Sequence, residues 1–481
     1  MTHPPLWTVA DMAAAMSATR AGPLPDAIVG LSIDSRTVSS GEAFFAIAGD
    51  RLDGHDFVAK AFANGAALAV VSAARRSEFP ADAPLLVVPD VLDGLRDLAR
   101  AARARSPAKI VAVTGSVGKT STKEALRIAL SADGETHAST ASFNNHWGVP
   151  LSLARLPETA RYGVFEIGMN HAGEITPLVR MVRPHVAIVT TVEPVHLEFF
   201  ASVAAIADAK AEIFSGIEPG GAAVINRDNP HWQRLKRHAS QAGVARIVSF
   251  GEHSKADSRL LKYALQDDGS TVEASILGTL ADYRIGAPGR HFVFNSLAVL
   301  AAVSLVGADL ALAALALADQ RPATGRGTRI DLFVGSGQAL LIDESYNANP
   351  SSMRAALAVL GRATVGARGR RIAVLGDMLE LGTAATELHR GLAAAVAENT
   401  IDLVFCAGPL MAALWEALPA ERRGGHAASA AELEAQVLAA VHPGDAVMVK
   451  GSLGSRMGPI VKSLARRYPA AAAHDDIPAR G

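Results

Sequence analysis

The sequence predicts an α/β protein of three domains, and three observations carry that prediction. The chain has 481 residues, too many for one hydrophobic core and close to three units of about 150. From residue 110 onward, short continuous apolar runs alternate with helix-length segments, the pattern of parallel strands covered by helices on both faces. Two breaks divide the pattern: a basic segment ending in Ser-Pro, ARAARARSPAK, and the pair Arg321-Pro322. The boundaries drawn from them are 1–106 for a small N-terminal α/β domain, 107–328 for a central parallel-sheet domain and 329–468 for a C-terminal Rossmann-like domain. An Ala-rich, disordered tail is expected at 469–481.

Composition narrows the function. Basic and acidic residues nearly balance, 46 against 47, so no global charge draws nucleic acid or an anionic membrane surface. The single cysteine, Cys406, cannot form an internal disulfide, and its apolar setting IDLVFCAG is that of a buried strand thiol in a reducing, cytoplasmic compartment. The N-terminus lacks a basic leader and carries Asp11, so it reads as a first helix capped by Thr8 rather than a secretory signal. The most apolar segment, 297–318, is interrupted by Ser304, Gly307 and Asp309, which predicts two packed helices and no membrane insertion.

The elements follow in order. In the first unit, IVGLSIDSRTVSSGEAFFAI alternates apolar strands with a polar turn, Asp34-Ser35-Arg36-Thr37, and GDRLDGHDF supplies a second polar loop before a helix at 58–64. Asp34 and Arg36 read as a surface ion pair, and the arginines before Ser106 as a solvated helix face. Central strands are expected at 110–113, 162–168, 185–192, 221–226 and 246–250, then antiparallel edge strands within 257–287 and a helix over 290–306. The third unit predicts strands at 340–343, 371–376, 401–408 and 446–451, alternating with helices at 350–360, 386–398, 410–418 and 455–465.

The stretch AKIVAVTGSVGKTSTKE combines strand, glycine-rich turn and helix start. The unpaired N–H groups and dipole of such a helix favour an anion, so the turn Gly115, Ser116, Val117, Gly118 and the opening Lys119, Thr120, Ser121 form a phosphate cradle. Lys119 would reach β/γ-phosphates and Thr120 would bind Mg2+. The loop is shorter than the common P-loop, whose distant glycine position is here Val113. Glu166 ends an otherwise apolar strand and needs a cation or donors if buried. His196 follows the next strand at the same sheet edge, where open α/β sheets bind ligands. Lys210 reads by itself as a solvated helix lysine, because an ammonium beside a cation site would repel the metal.

TGSVGKTSTKE, SFNNHWGVPLSL, EIGMNHAGEI, PVHLEFF with IADAKAEIFSG, INRDN, GRHFVFNSLA, DESYNANPSSM, AVLGDMLELG and VKGS stand in one order along the chain. In that order they resemble the Mur ligases of peptidoglycan synthesis, from the Asp34-Ser35-Arg36 region to about residue 462. The resemblance implies an ATP-dependent ligase, acting as a monomer, with a UDP-binding first domain in which Ser35 and Arg36 hold the UDP-sugar. It assigns Lys119 and Thr120 to ATP phosphate and Mg2+, Glu166 to that metal and His196 to a second Mg2+. It implies that Lys210 is carbamylated by CO2, which turns a repelling ammonium into a carboxylate-like group. Asn144 and Asn145 match a loop beside the phosphates, His291 and Asn295 a site near adenine, and Arg326 an arginine reaching the γ-phosphate from the hinge. Asp343, Tyr346, Asn347 and Asn349 match residues lining the nucleotide and an incoming dipeptide.

Among these relatives the diamino-acid-adding branch carries an Asp-Asn-Pro-Arg motif in its C-terminal domain. Here Asp228-Asn229-Pro230-His231 lies in the central domain and lacks the arginine. The third-domain motifs look like the dipeptide-adding branch, with UDP-N-acetylmuramoyl-tripeptide and D-alanyl-D-alanine as substrates. A folylpolyglutamate-synthase-like ligase shares the core but lacks such a front domain. A nucleotide-driven switch would need a partner-binding surface, and none is evident; a non-catalytic binder would not need Lys119, Thr120, Glu166, His196 and Lys210 together.

Overall fold

The computed structural model describes residues 5–49, 51–140, 143–195 and 197–469. Three sheets organise it. The first has five strands in the order Thr19–Ala21, Leu85–Val88, Leu68–Ser72, Glu42–Phe45, Gly30–Ser32, all parallel except the first. The expected first helix, Val9–Ala15, is capped by Thr8, whose Oγ1 accepts from the Asp11 N–H at 3.0 Å.

The basic run departs from expectation. It forms the end of the Val91–Arg105 helix, where Arg100 is solvated as expected but Arg103 and Arg105 are not. Leu95, Leu98, Ala99 and Ala102 make an apolar stripe at helical spacing that buries the helix in the seam between the first two sheets. Flanking arginines are drawn in with it. Arg103, buried, donates to the carbonyls of Val182 and Arg183 at 2.9 and 3.0 Å, groups left unpaired where the Ile175–Val182 helix ends. Arg105 lies 3.4 Å over the Trp7 ring and donates to Leu6 O at 2.9 Å. One continuous apolar core joins Leu31, Phe45 and Val88 of the first sheet to Ile110 and Phe165 of the second and to Leu151 of the Gly148–Ala154 helix.

The central sheet has nine strands: Thr279–Ile285, Gly269–Ile276, Ser258–Gln266, Arg246–Gly251, Ala222–Asn226, Val186–Val189, Lys109–Thr114, Tyr162–Glu166 and Thr136–Ala138. The three strands between 258 and 285 are antiparallel to one another, as their alternating pattern predicts, and the others run parallel. Its register sets Glu166 opposite Val113 and Val189 opposite Thr114, so three strand ends meet beside the glycine turn. The apolar segment 297–318 divides between the Arg290–Leu305 and Leu310–Ala316 helices, the second capped by Asp309. Among the described residues no helix is long and apolar enough to cross a membrane.

The third sheet runs Thr328–Val334, Gly337–Glu344, Ala446–Lys450, Arg371–Gly376, Leu403–Ala407, Arg423–Ala427. Its first strand is antiparallel and completes a hairpin that the sequence reading did not separate; the last, RGGHA, has no apolar run to announce it. The helix expected at 386–398 is two, Ala385–Arg390 and Leu392–Glu398, meeting at Gly391. Cys406 is fully buried, and burial together with Asp377 pushes its thiol up to about 12. The two apolar cores of this unit contain only its own residues. Most of the expected tail, 470–481, lies outside the described residues.

Candidate active site

The glycine turn is shaped by what packs behind it. Gly115 has φ +152°, and a Cβ there would lie 1.9 Å from Thr190 Oγ1. Gly118, at φ +84°, precedes the Lys119–Ser131 helix. Thr190 Oγ1 donates to Val117 O at 2.6 Å, and the Ser116 N–H donates to Thr191 O at 2.9 Å. These bonds tie the turn to the neighbouring strand end and leave the first-turn N–H groups of the helix without intrahelical partners, ready for an anion.

Glu166 is 1 % exposed. Its two oxygens accept from Thr120 Oγ1 at 2.9 Å and Asn144 Nδ2 at 2.7 Å, both neutral donors. Lys119 Nζ donates to Gly115 O at 2.8 Å; burial and the charge of Arg326 lower its pKa, against the opposing pull of Glu166. Lys210, on the Val203–Ala211 helix, is 2 % exposed and has no hydrogen-bond or ion-pair partner among the described residues. Burial, reinforced by the nearby charge of Lys119, holds its pKa well below that of an ordinary lysine. The reading of Lys210 as a solvated lysine is therefore overturned. His196 lies outside the described residues.

A cleft of about 900 Å³ opens between the central and third units. Ser116, Gly118, Lys119, Thr120, Ser121, Asn144 and Glu166 line one side with His291 and Asn295; Arg326, Tyr346, Asn347 and Asn349 line the other. The Arg326 guanidinium sits 4.4 Å from the Tyr346 ring centroid, and the Tyr346 N–H donates to Gly325 O at 3.1 Å. Other expected residues stand apart. Asn145 is exposed and its side chain accepts from the Trp147 and Gly148 N–H groups, starting the Gly148–Ala154 helix. Ser35 is buried in the first unit, with its carbonyl bound by Asn64, while Arg36 is exposed and forks onto Asp34 at 2.9 and 2.7 Å.

Asp343 does not line the cleft. Its carboxylate accepts from the N–H and hydroxyl of Ser345 at 3.0 and 2.6 Å. Its neighbour Glu344 does, because successive strand residues face opposite sides of a sheet. Glu344 accepts from Lys450 Nζ at 3.0 Å, and the same ammonium donates to Asn347 O at 2.9 Å. Lys450 is a charged end to a buried strand, the signal that marked Glu166, and the VKGS motif contains it.

Three family models cover the chain in succession: "Mur ligase family, catalytic domain" at residues 27–103, "Mur ligase middle domain" at 113–303 and "Mur ligase, glutamate ligase domain" at 328–453. The UDP-N-acetylmuramoyl-tripeptide--D-alanyl-D-alanine ligase of Escherichia coli is 35% identical over 437 residues, spanning 90% of this chain and 93% of the relative. The chain belongs to the Mur ligase family. The ligases of the same name from Rickettsia prowazekii and Bacillus subtilis are 32% and 30% identical, covering 90% and 95% of this Mur ligase and 94% and 98% of their own lengths. Its three-domain architecture matches a crystal structure of MurF from Acinetobacter baumannii with TM-score 0.81 at 30% identity, over 97% of this chain and 100% of that one. MurF from Thermotoga maritima, solved in complex with ADP, matches with TM-score 0.73 at 26% identity, over 91% and 98% of the two chains.

Proposed function

We propose that this Mur ligase joins the amine of D-alanyl-D-alanine to the terminal carboxylate of UDP-N-acetylmuramoyl-tripeptide, converting ATP to ADP and phosphate. The relatives matched over nearly their full length give the substrates. The observation that carries the chemistry is Glu166, a buried carboxylate at the mouth of the anion cradle held only by neutral donors. Such a group favours a hard cation. Mg2+ takes one or two protein oxygens and completes its shell with phosphates and water. Glu166 and Thr120 are the residues that would hold it, and when bound it neutralises charge on the transferred phosphoryl group.

The chain's own groups do the rest. Lys119 and the first-turn N–H groups bind the phosphates, and Arg326 meets the γ-phosphoryl charge from the hinge side. An oxygen of the tripeptide carboxylate attacks the γ-phosphorus, the bond to ADP breaks and an acyl phosphate forms. The dipeptide amine then attacks the acyl carbon, the C–O bond to phosphate breaks and the amine releases its proton to solvent. Ser35 and Arg36 hold the UDP-sugar, His291 and Asn295 adenine, Tyr346, Asn347 and Asn349 the dipeptide side. Burial disfavours the charged form of Lys210 and so favours the neutral amine, the form that adds CO2, and a carbamate there would complement Lys119 where an ammonium repels it. A second Mg2+ at His196 belongs to the same proposal.

Phosphate release from ATP and Mg2+ tests the reading. Release should require both UDP-N-acetylmuramoyl-tripeptide and D-alanyl-D-alanine, with product heavier by the dipeptide less one water. Reaction only with UDP-N-acetylmuramoyl-dipeptide and a diamino acid would reassign the branch.

A further inference from the structure

The Pro350–Arg362 helix of the third unit walls the cleft along its length, from Ser351 to Arg362. Both of its ends are tied to the central unit by side chains that take no part in the proposed chemistry. At its start, Ser351 Oγ donates to Glu193 Oε2 at 2.8 Å. Glu193 is itself stitched to the glycine turn: its N–H donates to Ser116 Oγ at 2.9 Å, and that hydroxyl donates to Glu193 O at 3.1 Å. Two residues past the helix end, Thr364 Oγ1 donates to Asp267 Oδ2 at 2.7 Å. The carbonyl of Asp267 also accepts from Arg329 at 2.7 Å.

Asp267 occupies the tip of the hairpin between Ser258–Gln266 and Gly269–Ile276. A helix of 13 residues rises about 20 Å, so the two ties stand at opposite ends of the cleft. The third unit shares no apolar core with the central one, and Gly325 and Gly327 both adopt positive φ where the chain crosses between them. Its seating over the cleft therefore depends on polar contacts. A carboxylate at the first turn of a helix is favoured by the free N–H groups there, and ionised acceptors make the stronger hydrogen bonds.

We propose that Glu193 and Asp267 are positioning residues that clamp the two ends of this helix, seating the third unit only when the phosphate turn and the hairpin tip are both in place. The kinetic part of the test rests on the ligase reading; the structural part does not. The variants are Glu193→Ala, Ser351→Ala, Asp267→Ala, Thr364→Ala, the two pairwise doubles, and Glu193→Gln and Asp267→Asn, which keep an acceptor oxygen. Small-angle X-ray scattering with ADP present reads the seating, and turnover at varied dipeptide reads its consequence.

Each alanine variant should enlarge the ADP-bound radius of gyration and raise KM for D-alanyl-D-alanine about five- to tenfold, the loss of roughly one hydrogen bond. KM for the tripeptide should stay put, which general misfolding would not allow. Each double should be no worse than its singles, and the amide variants, which keep an acceptor oxygen but not its charge, should fall between wild type and the alanine variants. Unchanged scattering in all four alanine variants, or additive effects within a pair, overturns the clamp. If wild type does not turn over the dipeptide, the ligase reading fails and scattering alone decides the clamp.

Discussion

Replacing Lys210 with methionine should stabilise the protein while abolishing ligation. The native side chain is 2 % exposed, faces the charge of Lys119 and has no partner among the described residues. Methionine fills a similar volume without a charge to desolvate, and relief of this kind contributes about 1–3 kcal/mol. A unit the size of the central one moves roughly 2–4 °C per kcal/mol, so its transition should rise by roughly 2–12 °C in CO2-free, Mg2+-free buffer. The gap must also depend on pH. The unfolded lysine titrates near the ordinary lysine value of 10.5 and the folded one well below it. Between those values the unfolded wild type binds one proton more than the folded form, so wild-type stability climbs with pH by up to about 1.4 kcal/mol per unit. The variant gains nothing from that group, and its advantage closes as pH nears 10.5. Calorimetry of both proteins from pH 7 to 10 reads this, and added bicarbonate should shift only the wild type. A variant less stable than wild type, or a gap indifferent to pH, refutes the argument from an unpaired buried amine.

Three further outcomes are expected. Glu166→Gln leaves Thr120 and Asn144 in place but removes the negative charge; phosphate release should fall about 100-fold and need more Mg2+. Gly115→Ala forces a Cβ to within 1.9 Å of Thr190 Oγ1 at φ +152°, so titration with a fluorescent nucleotide should show binding lost. His185 is held near pKa 4 by burial and then by the charges of Lys109 and Arg103, and its Nδ1 accepts from the Ile110 N–H. Its folded pKa lies below the unfolded one, so its contribution is complete above about pH 6.5 and lost towards pH 4, up to about 3 kcal/mol. The His185→Gln variant should lack that acid-side loss in urea unfolding.

What the sequence made legible were interruptions in a regular pattern. Gly115 and Gly118 break a strand-to-helix passage, and Glu166 ends an apolar strand, so both could be recognised before any contact was known. Lys210 offered no such break; only its burial against Lys119 separates it from a surface lysine, and burial on a helix of this kind comes from tertiary packing. Asp343, expected in the site, lies off the cleft that its neighbour Glu344 lines, because two adjacent acids on a strand point oppositely and composition does not say which faces the cleft. The arginines at 103 and 105 misled for a related reason. A basic helix end is exposed only if nothing covers it, and here the carbonyls of another helix and the Trp7 ring do.

The division of the apolar interior has a consequence for exchange of parts. Residues before about 320 cannot be recombined piecemeal with a relative, since Leu98 and Phe45 belong to the same core as Leu151 and Phe165. The unit from Thr328 onward brings its own interior, and a crossover at Pro322 severs no apolar core. If Tyr346, Asn347 and Asn349 hold the dipeptide and Ser35 and Arg36 the UDP-sugar as proposed, grafting the corresponding unit of another Mur ligase there would exchange the amine side as one module, while the nucleotide-sugar side stays woven into the catalytic body.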